Sequence, residues 1–304
     1  MVLTRTPQAE DACAASANRV REMLQTAPLT PTYRAALTAA LEVPGRILSQ
    51  TPDARWAQCV SSCCKAAGGS WEQSMPAAAA VEIFMTALEV LDDEEDGEDS
   101  WLRSSLGSAR TLNVSTGLLL LAQHGCLRAE LTQATAILLG WTLRACSGQD
   151  ADLATVSTGD TDLIEALTVT ELKSASLVAA ACQLGALCAG AAPPVQTLYA
   201  QFGSHLGMAA QLANDLRGAA SGATSPDITL RRPTVPLVYA AHRASTPGKQ
   251  ACAAGQMDAW IDVAPLALAW AVAETYRVRA LDMIPGLTVE PSARDDLTQL
   301  VGAP

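Results

Sequence analysis

The chain has 304 residues, enough for one large domain or two ordinary ones and for a substantial core. Its formal net charge of −11 excludes nucleic acid as a partner, because a phosphate backbone needs a basic footprint. An anionic substrate would therefore have to be captured locally, by metal ions and a few placed cations.

Apolar residues recur at three and four spacings, β-branched runs are scarce and no fixed-period repeat occurs, which together predict an all-α protein rather than a sheet or a solenoid. Helices are predicted at 8–27, 31–42, 53–67, 75–96, 108–124, 127–146, 161–190, 195–219, 234–244, 257–283 and 291–301. Pro and Gly punctuate them at Pro28, Pro31, Pro44-Gly45, Gly68-Gly69, Gly97, Ser147-Gly148, Pro193-Pro194, Ser221-Gly222 and Pro247-Gly248. No break is long enough for an interdomain linker, so the expectation is a single domain over 1–304, a bundle of ten or more helices around a central cavity.

The apolar runs Leu118 to Ala122 and Leu184 to Ala192 fall short of the roughly 18–20 residues that span a bilayer, so no transmembrane segment is expected. The nine cysteines (Cys13, Cys59, Cys63, Cys64, Cys126, Cys146, Cys182, Cys188, Cys252) contain no CxxC pair. With no signal-peptide pattern ahead of them, they read as small buried thiols in a reducing cytoplasm.

Two polar islands interrupt the apolar helices. The first is Asp92-Asp93-Glu94-Glu95-Asp96-Gly97-Glu98-Asp99, directly after the apolar run Ala77 to Leu91. Carboxylates this dense repel one another and are best tolerated when cations sit among them, so a hard, oxygen-seeking metal is a candidate. Taken alone, such a run is more often a solvated loop or helix end. Asp92 and Asp96 share a face if the helix continues, with Asp93 beside them. The second island lies in the helix after Pro194. There Gln211, Asp215 and Gly218 recur on one face next to Asn214, while Gly203, Gly207, Ala210 and Ala213 leave room along a similar stripe. A polar helix C-terminus near Gly218 would give the same pattern.

An apolar helix ending in Asp-Asp-x-x-Asp, followed later by Gly-x-x-x-Gly-x-x-x-Gln-x-x-(Asp/Asn)-Asp, resembles the two aspartate-rich motifs of trans-isoprenyl diphosphate synthases. Other elements stand in that family's order. Pro44-Gly45-Arg46 replaces Gly-Gly-Lys, and Gly148-Gln149-Asp150-Ala151-Asp152-Leu153 is similar to Gly-Gln-x-x-Asp-Leu. Lys173-Ser174-Ala175-Ser176-Leu177 is similar to Lys-Thr-Ala-x-Leu, and Asp227 to Leu237 resembles the basic segment after the second motif. The resemblance covers about residues 40 to 245.

It implies the isoprenoid synthase type I fold, an allylic prenyl diphosphate substrate, two or three Mg2+ ions and a homodimer. Asp92, Asp93 and Asp96 would hold one side of the metal cluster, and Gln211, Asn214 and Asp215 the other. Arg46, Arg103, Lys173, Arg231 and Arg232 would bind diphosphate. Gln149 and Asp152 would orient groups beneath the metals, and Ser174, in place of a Thr, would face the carbocation. Phe84, Ala87 and Leu88 would line the tunnel for a C15 to C20 tail. Glu94, Glu95, Glu98 and Asp99 would be solvated rim.

Departures from the family pattern are equally specific. Of the four groups expected to hold isopentenyl diphosphate, only Arg46 is a cation. The others are Ser49, Met85 and, if Arg103 begins the arginine pair, Ser104. Each lost charge-assisted contact costs on the order of 1.5–3 kcal/mol, so ordinary chain elongation is not expected. The second motif is thinned at Asn214 and Gly218. Three readings stand: prenyl transfer from an allylic diphosphate to an acceptor the sequence does not name, a terpene cyclase on the same scaffold, and a non-catalytic partner subunit. The low aromatic content weighs against the cyclase, and the retained acids with Lys173 weigh against the dead subunit.

Overall fold

A computed structural model describes residues 7–158, 161–221, 226–229, 232–243, 263–287 and 292–302. Among them no strand forms, and the expected all-α architecture is observed. The helices are α1 (Pro7–Thr26), α2 (Pro31–Leu41), α3 (Arg55–Ala66), α4 (Trp71–Glu95), α5 (Trp101–Leu106), α6 (Ser108–Arg128), α7 (Thr132–Thr158), α8 (Leu163–Thr170), α9 (Ser176–Cys188), α10 (Pro193–Ala220), α11 (Pro226–Thr229), α12 (Val235–Arg243), α13 (Val263–Leu287) and α14 (Ser292–Val301), with one π-helical turn, Glu171–Ala175, between α8 and α9.

Local chemistry sets the boundaries. Helix α4 begins at Trp71 rather than at 75, because Ser70 and Gln73 close a reciprocal capping box and Pro76 is carried inside the helix. The predicted break near Gly125 does not occur. That glycine stays helical where Met23 packs against it, and the chain turns instead at Glu130, whose φ is 61°. Gly148 likewise does not end a helix. A Cβ there would lie 2.4 Å from the Lys173 backbone nitrogen, so glycine lets α7 approach the π-turn.

Helix α4 is the central core element: Ala77 to Ala80 have no exposed surface, and Ile83, Phe84, Met85 and Ala87 are buried with them. By length and composition it could cross a membrane, with a mean hydropathy of 1.4 over its best window, yet 72% of that window is packed inside the protein. That is the environment of a core helix. It packs on α1, α3 and α6, and α9 packs on α3, α7 and α10. Buried Glu82 accepts the Ala57 N–H at 2.7 Å, holding the start of α3 against α4.

Glycines also let α10 lie close against α9 and the π-turn. A Cβ on Gly203 would lie 2.7 Å from both the Ala179 Cα and the Val178 carbonyl oxygen, and one on Gly207 would lie 2.6 Å from the Ala175 Cα. Neither backbone can yield cheaply. Gly203→Ala is therefore expected to destabilise the fold by about 1–3 kcal/mol in urea unfolding, despite alanine's better helix propensity.

Candidate functional site

The C-terminal half of α4, the middle of α7, the π-turn and α10 enclose a cavity of about 970 Å³. Its walls are apolar, with Met85, Leu88, Leu177, Val178 and Leu206, and one end is polar, with Asp92, Glu95, Gln149, Lys173, Gln211 and Asn214. The two sequence islands and the Lys173 segment thus meet at one opening, although they lie far apart in the chain.

Lys173 occupies the centre of that end. The π-turn inserts an extra residue into an otherwise helical run and swings Lys173 between two acids. Its Nζ lies 3.1 Å from Asp92 Oδ1 and 2.9 Å from Asp152 Oδ2. Burial opposes the ammonium charge, but Asp92 and Asp152 more than offset it and raise the Lys173 pKa. Ser174, on the same turn, lines the cavity.

Across the opening, Asn214 faces the cavity while Asp215 lies beneath it, 4% exposed. Asp215 Oδ1 accepts the Gln211 side-chain amide at 2.8 Å. Burial lifts its pKa to about 7, against the opposing pull of that hydrogen bond, with Asp227 and Asp152 adding to the rise. A desolvated carboxyl facing other acids is an environment that a bound cation would relieve.

Several expected residues are differently engaged. Phe84 and Ala87 do not line the cavity. Both are buried in the core, and only Leu88 of the three forms part of its wall, because the cavity face of α4 runs through Met85, Leu88, Glu89 and Asp92. Asp93 and Asp96 are not on the wall either; burial raises both pKa values, with neighbouring acids adding to the rise. Arg232 is committed to acids: its guanidinium lies 2.6 Å from Asp96, 2.7 Å from Glu98 and 3.7 Å from Asp227. Arg46 donates to the Ala40 carbonyl at 3.0 Å and pairs with Glu89 at 3.5 Å. Arg103 stands behind the acidic run, 4.0 Å from Glu94. Arg231 lies outside the described residues.

Glu95, Glu98 and Asp99 are exposed, as expected of a rim, although Glu95 accepts from Gln149 at 2.9 Å and Glu98 takes Arg232. Glu94 departs from it, nearly buried and accepting from Ser108 at 2.5 Å. Spacing alone gave no sign of these long-range pairs.

The sequence model of the polyprenyl synthetase family matches residues 53–257. The chain belongs to that family. Among curated relatives, the (2E,6E)-farnesyl diphosphate synthase of Mycobacterium tuberculosis is 30% identical over 210 residues, 62% of this chain and 56% of that protein. The chain thus spans little more than half the length of this relative. Among solved structures, a polyprenyl synthetase from Streptomyces coelicolor superposes with a TM-score of 0.84 at 21% identity, covering 96% of this chain and 97% of that one. A polyprenyl synthase from Caulobacter crescentus, solved with calcium and isoprenyl diphosphate, superposes with a TM-score of 0.79 at 20% identity, covering 97% and 94%. The fold of this polyprenyl synthetase family member is therefore the isoprenoid synthase type I fold.

Proposed function

We propose that this chain binds an allylic C15 to C20 prenyl diphosphate in the cavity, ionises it with Mg2+, and transfers the prenyl group to an acceptor. The observation that carries this reading is the meeting of Asp92, Lys173, Gln211 and Asn214 at the polar end of one apolar cavity. Asp92 and Asp152 on one side and Asn214, Gln211 and Asp215 on the other are hard oxygen donors of the kind magnesium takes. Among the described residues, no three carboxylates bring oxygens within 4.8 Å of one another. That spread suits ions that keep several waters and share oxygens with a diphosphate, rather than a closed cage. Magnesium, when bound, supplies the positive charge that stabilises the departing diphosphate.

The protein's own groups complete the reaction. Lys173 donates to the leaving diphosphate as the carbon–oxygen electron pair passes to it. Met85, Leu88, Leu177, Val178 and Leu206 keep water from the allylic cation. The acceptor's electron pair then forms the new bond at the allylic carbon, and its proton passes to diphosphate.

The remaining cations on the cavity wall are largely spoken for. Arg55 pairs with Asp53, Arg277 takes Glu274 in a two-pronged contact, and Arg217 sits beside Asn214 at the diphosphate end. A second diphosphate would find no free cationic cluster among the described wall residues, which favours an acceptor without one. Cyclisation is a second reading, favoured by Trp56 and Trp270 on the wall, whose faces can stabilise a cation.

Exposed leucines on α6 (Leu112, Leu120, Leu127) and α7 (Leu139, Leu143) support assembly as a homodimer. One domain acting in the cytoplasm completes the proposal.

The test is pyrophosphate release from geranyl, farnesyl and geranylgeranyl diphosphates, with and without isopentenyl diphosphate, with products identified. EDTA-sensitive release from a C15 or C20 substrate is expected. A hydrocarbon or alcohol formed without acceptor selects the cyclase, and release only with isopentenyl diphosphate selects elongation. Failure to bind any of the three diphosphates in the presence of Mg2+ contradicts the proposal.

A further inference from the structure

At and behind the cavity wall, α3 and α9 hold a cluster that prenyl transfer does not use. Cys59 and Cys63 stand four residues apart on α3 and so share a helix face, and Cys182 comes from α9, which packs against it. All three are buried, and their sulfurs lie within 4.8 Å of one another, with Cys59 Sγ 3.4 Å from Cys182 Sγ. Glycines bring this cluster together. A Cβ on Gly185 would lie 2.6 Å from the Cys63 Cβ, and one on Gly203 would lie 2.9 Å from Cys182 Sγ.

We propose that Cys59, Cys63 and Cys182 form a three-sulfur site for a soft monovalent cation of the copper(I) class. Three considerations select the ligand. The donors are all sulfur, which favours soft ions over magnesium or calcium. Metal–sulfur bonds of about 2.3 Å, taken from zinc–thiolate sites, put the corners of a trigonal plane about 4 Å apart, within the spread observed here. Charge decides between the soft ions. A monovalent ion that displaces one thiol proton leaves the cluster neutral, as its apolar surroundings require, whereas structural zinc almost always takes a fourth ligand. No His, Asp, Glu or further Cys joins the three among the described residues.

Access exists, because Cys59 lies on the cavity wall while Cys63 and Cys182 lie behind it. On binding, one proton leaves for each ion, the three S–M bonds form, and no electron is transferred.

The experiment titrates the reduced full-length protein, without air, with Cu(I) supplied as its acetonitrile complex against bicinchoninate as competitor. A C146A background removes the exposed Cys146. One ion per chain should be held there, at least tenfold more tightly than in the same background carrying C59A/C182A, and copper should raise the melting temperature of the first protein only. Equal affinity in both, or Zn2+ held as tightly as Cu(I), overturns the assignment. Copper-edge X-ray absorption on the C146A protein needs no core variant. Three sulfur neighbours support the site, and two or fewer overturn it. The readout is metal binding, so it stands apart from the prenyl-transfer reading.

Discussion

Asp92→Ala is expected to lower magnesium-dependent pyrophosphate release by on the order of 10²- to 10³-fold while leaving the fold intact. The asymmetry follows from position. Asp92 is the member of the Asp92, Asp93 and Asp96 set that stands on the cavity wall, its side chain is 42% exposed, and its main partner is Lys173. Removing it would delete the carboxylate proposed to face the metal and free Lys173, without opening a core void. Asp93→Ala should cost less than tenfold, since Asp93 lies off the wall. Initial rates over a magnesium titration check both. A wild-type rate in Asp92→Ala would remove Asp92 from the proposed metal site, and equal losses in the two variants would overturn the ranking.

That ranking could not have been read from the sequence, although much else could. The helices were legible because apolar residues recur at helical spacing, and the two islands because acids and amides are out of place in apolar helices. What stayed hidden was direction. Helix α4 is apolar on most sides, so nothing in its pattern tells the cavity face, with Met85, Leu88 and Glu89, from the core face, with Phe84 and Ala87. The π-turn at Glu171–Ala175 was equally silent, since it sits in a stretch that reads as one helix over 161–190. Gly148 reads as a stop and is in fact a close-approach residue. The ion pairs of Arg232 with Asp96 and Glu98 join residues more than 130 positions apart, a separation at which spacing carries no information. Of the sulfur cluster, the Cys59 and Cys63 spacing was visible, but not the approach of Cys182.

Asp215→Asn is expected to separate stability from function in opposite directions. Without metal, the folded Asp215 carboxyl titrates at about 7, against an ordinary value of 3.8. Between those values the unfolded chain has released its proton while the folded chain holds it, so stability falls as pH rises from about 4 to 7, and the penalty is complete above 7. The difference between 3.8 and about 7 corresponds to a ceiling on the order of 4 kcal/mol. Asparagine cannot ionise, and its side-chain oxygen keeps the acceptor role toward Gln211. In EDTA, urea unfolding at pH 8 should therefore show the variant more stable than the parent by about 1–4 kcal/mol, with a smaller gain at pH 5. Activity should move the other way, by about a hundredfold, because the charge that is uncompensated without metal is what would hold the cation. Adding magnesium with a non-hydrolysable prenyl diphosphate analogue should stabilise the parent more than the variant and close the gap. A variant less stable than the parent at pH 8 would mean that Lys173 already neutralises Asp215, and the case for a cation at that carboxylate would fall.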